Sequence, residues 1–168
     1  MIPQNYKRYL YNGVFLLLIT MLWNIIFYEY LPETFSLENF RKNIPTIVLT
    51  GENIFRILTF GFTIFLSLGL KDNAQRIGLV LYIAGVVIYF ASWAAQMFLS
   101  ESMWSQSLLG YTAPAFTSII WLLGIGLVGK DLVIKKIPYN RIVFITLSII
   151  FVVFHTMHAV MAYSNQYL

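Results

Sequence analysis

The stretch Ile77–Leu99, IGLVLYIAGVVIYFASWAAQMFL, carries no charged side chain and is long enough to cross a hydrocarbon core of about 30 Å as a helix. Its small and polar residues are ordered: Gly78, Tyr82, Gly85, Tyr89, Ser92 and Gln96 step by four and three, and nearly everything between them is Leu, Ile, Val, Phe or Ala. That period predicts a helix with one face reserved for other helices and the remainder offered to lipid.

Comparable runs lie on both sides, at Tyr11–Tyr30, Ile47–Leu70, Leu108–Gly129 and Ile142–Tyr163. Of the 168 residues 59% are hydrophobic and 11% charged, whereas an ordinary soluble domain has roughly a quarter charged. With a mean hydropathy of +0.74, too few polar groups exist to cover a water-facing surface. The expected fold is an all-α integral membrane protein, a compact bundle of five transmembrane helices forming one membrane domain over residues 1–168. The chain has no cysteine, which excludes disulfide scaffolds, thiolate metal sites and a cysteine nucleophile. Met1–Arg8 has the basic flank of a signal peptide but no small-residue cleavage site follows, so the first run reads as an uncleaved span.

Loop charge sets an expected orientation. Lys7, Arg8, Lys71, Arg76, Lys130, Lys135, Lys136 and Arg141 fall on one side; Arg41 and Lys42 fall on the other beside Glu29, Glu33, Glu38 and Glu101. The positive-inside bias puts the N-terminus in the cytoplasm and the C-terminus outside. It also accounts for the net charge of +4 without nucleic acid, since the cations are divided among short loops and no recognition module accompanies them. The first loop has room for an interfacial helix at Ser36–Ile44, where Leu37, Phe40 and Ile44 recur at helical spacing.

Orientation converts position into depth. Asn24, Glu52, Arg56, Ser92, Trp93, Gln96, Tyr111, Thr112, His155 and His158 all fall in the outer half, while the inner halves hold little beyond Thr, Ser and Gly. Ionisable groups inside a membrane cost about 2.5–3.5 kcal/mol each on insertion scales and tend to mark working sites. The expected ligand-binding set is therefore Glu52, Arg56, Gln96, Tyr111, His155, His158 and Asn24. Glu52 and Arg56, four apart with the acid first, suit an ion pair on one helical turn; the plain alternative is that Arg56 snorkels outward and Glu52 only accompanies it. His155 and His158 share a helix face. Hydrogen bonds to Gln96, Tyr111 or Asn24 explain them more simply than a metal or haem, so no metal and no cofactor are expected. Gly124-Ile125-Gly126-Leu127-Val128-Gly129 has the letters of a dinucleotide fingerprint, but it ends a membrane run instead of opening a helix after a strand, and close helix packing accounts for it.

Glu52-Asn53-Ile54-Phe55-Arg56 and Phe151-Val152-Val153-Phe154-His155 resemble, at four letters, the Glu-Glu-x-x-x-Arg and Phe-x-x-x-His motifs of intramembrane CAAX-type proteases. Gly51 stands where that family's first Glu belongs, and its last His motif meets Ala159 or Ala162, so the family is not assigned. The translocator-protein group has five spans at similar length, but its tryptophan- and proline-rich first loop is absent from Leu31–Pro45.

The resulting expectation is a multi-pass protein of a bacterial plasma membrane that binds a small amphiphile, lipid head group or proton in an outer polar pocket. One rival is a non-catalytic accessory or immunity-type subunit, with a membrane protein or a second copy as partner and polar residues that only pack helices. The other is a small lipid- or prenyl-modifying enzyme. Because the chain lacks cysteine, single substitutions report topology cleanly: in intact cells Ser102→Cys should react with a membrane-impermeant maleimide, and Asn73→Cys only after permeabilisation.

Overall fold

Asp72 ends a short polar connection, and its carboxylate accepts from the Gln75 backbone N–H at 2.8 Å while Gln75 caps in return. This capping box starts the helix Asn73–Phe98, ahead of the charge-free run that begins at Ile77. The same carboxyl is held below the usual aspartate range by the Gln75 backbone hydrogen bond and by Arg141, whose guanidinium lies 3.1 Å away. The computed structural model describes residues 12–133 and 139–167. Tyr11, the cations Lys7, Arg8, Lys135 and Lys136, and the Met1–Arg8 leader reading lie outside the described residues.

In chain order the elements are α1 (Gly13–Phe27), α2 (Leu37–Arg41), α3 (Thr46–Phe65), β1 (Leu66–Leu68), α4 (Asn73–Phe98), α5 (Leu108–Phe116), α6 (Ser118–Val128), β2 (Gly129–Leu132) and α7 (Arg141–Tyr167). Taking α5 and α6 as one interrupted helix, five helices are long and apolar enough to cross a membrane.

Three expected boundaries change. The second run, expected to stay apolar and helical to Leu70, gives an α3 that ends at Phe65 after 20 residues, already about 30 Å of helix. The next three residues pair antiparallel with β2, Leu66 opposite Leu132 and Ser67 opposite Asp131, so backbone groups released by the two helix ends satisfy one another. Hydropathy merges the strands with the helices they follow because Leu66, Leu68 and Leu132 are as apolar as helix residues. The first-loop helix covers only Leu37–Arg41, capped by Ser36. Its Phe40 packs inward while Leu37 is 68% exposed, so the spacing does not mark one buried face.

The fourth run breaks at Thr117, close to its internal proline. Pro114 has no N–H for the carbonyl of Gly110 four residues back, and Gln96 Nε2 takes that carbonyl instead at 2.7 Å. Gln96 also approaches the carbonyl of Ser105 at 3.3 Å.

The helices form a ring in which α1 meets α3, α3 meets α7, α7 meets α5 and α6, and α6 meets α4. Large side chains close the ring between α4 and α1: Tyr82 Oη donates to the Leu16 carbonyl, Tyr89 Oη donates to Asn24, and Phe90 stacks on Trp23. The tightest approach is α4 on α6. A Cβ on Gly85 would fall 2.4 Å from the Trp121 backbone nitrogen, and one on Gly124 2.4 Å from that of Tyr82. At the ribbon end the centre of the ring is filled by Leu66, Leu122, Ile125 and Phe144, each with no exposed surface. Gly85→Val should therefore cost about 1–3 kcal/mol or more by overpacking against backbone. Gly61 has nothing within 4 Å of its Cβ position, so Gly61→Ala should gain about 0.5–1 kcal/mol from helix propensity; reversible unfolding in mixed micelles checks both.

Candidate functional site

On α3 the residues Glu52, Thr59 and Thr63 fall on one helical face and all three are buried, Glu52 to 3% exposure. A carboxylate removed from water is stable only with donors on its lone pairs. Three arrive. Arg56, one turn along α3, donates to Oε1. His155 Nδ1 stands 3.0 Å from the same oxygen, and His158 Nδ1 stands 2.5 Å from Oε2. Both histidines come from α7, one turn apart, so their shared face is directed at a single acid.

Gly51 makes this approach feasible. A Cβ there would lie 2.4 Å from the Phe154 ring, so glycine lets α7 pack closely beside Glu52, with Phe55 and Phe154 stacked nearby. The other nitrogen of His158, Nε2, lies 2.9 Å from the Phe40 carbonyl of α2. Phe40 also packs its ring against His158 at 4.5 Å. One buried cluster thus ties α3, α7 and the first-loop helix together.

At the same end the centre of the ring is open. A cavity of ≈ 570 Å³ is walled by residues from α1, the first loop, α3, α4, α5, α6 and α7. Arg56 and His155 line it on one side and Asn24, Tyr89, Trp93 and Trp121 on another, with Phe35, Phe40, Phe60, Tyr111 and Phe151 among the apolar wall. The Arg56 guanidinium lies 5.8 Å from the Phe151 ring centre, and the His155 imidazole stacks on the same ring. Glu52 and His158 stand behind this wall and do not line the cavity. The indole N–H groups of Trp93 and Trp121 are buried in the wall and expose no surface to the cavity.

The expected site therefore divides. Glu52, Arg56, His155 and His158 form one cluster, and Arg56, His155, Tyr111 and Asn24 reach the cavity. Gln96 does not: it holds the α5 carbonyl that Pro114 leaves free. The histidines take their hydrogen bonds from Glu52 and Phe40, not from Gln96, Tyr111 or Asn24 as expected. Asn24 accepts from Tyr89 at 2.8 Å, and Tyr111 Oη donates to the Thr34 carbonyl at 3.3 Å. Sequence reasoning does not find Phe40, which acts through a backbone carbonyl, or Trp121, whose setting in an apolar run is that of any aromatic core residue. Among the described residues no group of three His, Cys, Asp or Glu is arranged to hold a metal ion; the two Nδ1 atoms engage different oxygens of one carboxylate. Comparison with protein-family models, curated proteins and solved structures finds no match.

Removing the acid leaves a guanidinium and two imidazoles without their acceptor. Glu52→Ala should destabilise the folded chain by about 3–5 kcal/mol, the cost of breaking a buried charged pair. Glu52→Gln, whose oxygen still accepts and whose amide can donate to His158 Nδ1, should cost about 1 kcal/mol. Chemical unfolding of both variants in micelles checks the ranking, and equal losses would show that the negative charge itself, which glutamine lacks, carries the stabilisation.

Proposed function

We propose that this chain is a multi-pass protein of the bacterial plasma membrane, N-terminus in and C-terminus out, that binds a small amphiphile in the chamber at the outer end of its helix ring. The observation that carries the reading is a ligand-sized cavity whose mainly apolar and aromatic wall carries Arg56 and His155. Binding sites are typically mostly apolar hollows of about 300–1,000 Å³ with a few placed polar groups, and ≈ 570 Å³ falls inside that range. An apolar chain would lie against Phe60, Phe151 and Met21 while its polar end meets Arg56.

Two further features support placement in lipid. Ile57, Val80, Val87 and Ile142 are each more than 60% exposed on the outside of the ring, a belt that water would not tolerate over such an area. Among the described residues the loop cations Lys71, Arg76, Lys130 and Arg141 lie at the ribbon end against Arg41 and Lys42 at the other, which by the positive-inside rule supports a chamber facing away from the cytoplasm.

The rival in which the polar residues only pack helices explains the Glu52 cluster but leaves the chamber without a role. Thermal unfolding in maltoside micelles separates the two. A bound amphiphile at a hundredfold excess over its Kd stabilises the folded state by about 2.7 kcal/mol, so fractionated membrane-lipid extract should raise the melting temperature of the wild type. Arg56→Gln should lose that rise while still folding. Extract that leaves the wild type unmoved would contradict the reading.

A further inference from the structure

Two hydrogen bonds on His158 determine how many protons the cluster holds. Nε2 faces the Phe40 carbonyl at 2.9 Å, and a carbonyl only accepts, so Nε2 carries hydrogen. Nδ1 faces Glu52 Oε2 at 2.5 Å, a separation that needs a proton between the two atoms. The Glu52–His158 pair therefore holds two protons and no net charge, whether it is written as imidazolium and carboxylate or as imidazole and carboxylic acid. His155 Nδ1 lies 3.0 Å from Oε1, a contact that the Nδ1–H tautomer of an uncharged imidazole makes as donor. What remains uncompensated is the charge of Arg56, which faces the chamber.

The groups around His158 are few. Glu52 and Arg56 come from α3, His155 from its own helix, and the aromatic rings of Phe40 and, beyond it, Tyr111 from α2 and α5. Glu38 and Arg41 on α2 and the adjoining Lys42 are exposed at the surface. Among the described residues the chamber wall includes no acidic side chain. A wall that carries the Arg56 charge and no acid is complementary to a single anion.

We infer that the chamber takes an amphiphile with one negative charge, such as a single-chain acid, and that it binds together with a proton held between Glu52 and His158. This rests on the chamber reading above. When the pair keeps its proton the site carries the charge of Arg56 and attracts the anion. When the proton leaves to water, Glu52 compensates Arg56, one of the two His158 hydrogen bonds is lost, and the attraction goes with it. Anion and proton thus enter and leave as a neutral pair, a stoichiometry suited to a low-dielectric bundle.

The test uses the full chain in phosphatidylcholine nanodiscs and follows Trp fluorescence during titration with decanesulfonate, which stays anionic across pH 5 to 9. Decanol and decyltrimethylammonium serve as the neutral and cationic controls. Decanesulfonate should bind saturably and at least about tenfold more tightly than either control, the discrimination expected of one charged contact. Its affinity should fall with rising pH by about tenfold per pH unit above the pair's titration, the slope of one linked proton. Glu52→Gln should bind tightly at every pH, because nothing compensates Arg56. His158→Asn should bind weakly at every pH, because the carboxylate always does. His155→Gln should retain the pH slope, which assigns the proton to His158. Decanoate and dihexanoyl phosphatidylglycerol as competitors distinguish a free acid from a lipid head group as the source of the charge, and displacement by either supports the inference. Equal binding of decanol overturns the anion while sparing the chamber; a flat pH profile in the wild type overturns the proton; no binding of any probe overturns chamber and inference together.

Discussion

A carboxylate with 3% exposure in an otherwise apolar bundle is the constraint that the rest of the arrangement answers. An uncompensated charge in such surroundings costs several kcal/mol, so Glu52 is tenable only where donors converge on it. Arg56 comes without further folding, because it is one turn away. The histidines require α7 to lie close against α3, which the missing side chain of Gly51 allows. His158 then needs an acceptor for its other nitrogen, and the carbonyl of Phe40 provides it, so the first loop is folded over the end of the bundle. Helix pairing, loop placement and one wall of the chamber all follow from satisfying one acid.

The two ends of the ring solve opposite problems. At the ribbon end, glycines on α4 and α6 bring backbones together and Leu66, Leu122, Ile125 and Phe144 fill the centre, while the ribbon uses up the backbone groups released where α3 and α6 stop. At the Glu52 end, α1 is held off α4 by tyrosines and tryptophans, which leave open what the other end fills. The proposed chamber is in this sense a product of side-chain size: small residues close one end, and large amphipathic rings frame the other.

Much of this is legible in the chain. Five runs of lipid-like hydropathy, the small and polar stripe of Gly78, Tyr82 and Gly85, and the ion pair of Glu52 with Arg56 follow from composition and spacing. So does the shared direction of His155 and His158. The two strands are not legible, because Leu66-Ser67-Leu68 and Gly129 to Leu132 continue helical runs without a breaker other than glycine, and their pairing joins residues far apart in the chain. Gln96 is misplaced for a related reason. A glutamine within a span reads as part of a polar site, and only the proline on another helix reveals that it serves a backbone carbonyl. Phe40 escapes because its contribution comes from the main chain, to which the side-chain pattern is blind.

The claim on which the account turns is that His158 bridges Glu52 and Phe40 with hydrogen on both sides of its ring. Nitrogen-15 NMR of histidine-labelled protein in nanodiscs, assigned by comparison with His158→Asn, reads the two ring nitrogens directly. The account predicts a protonated Nε2 on His158, with Nδ1 in a strong hydrogen bond whose signal moves in Glu52→Gln. A His158 with a bare Nε2, or an Nδ1 signal indifferent to position 52, would contradict it.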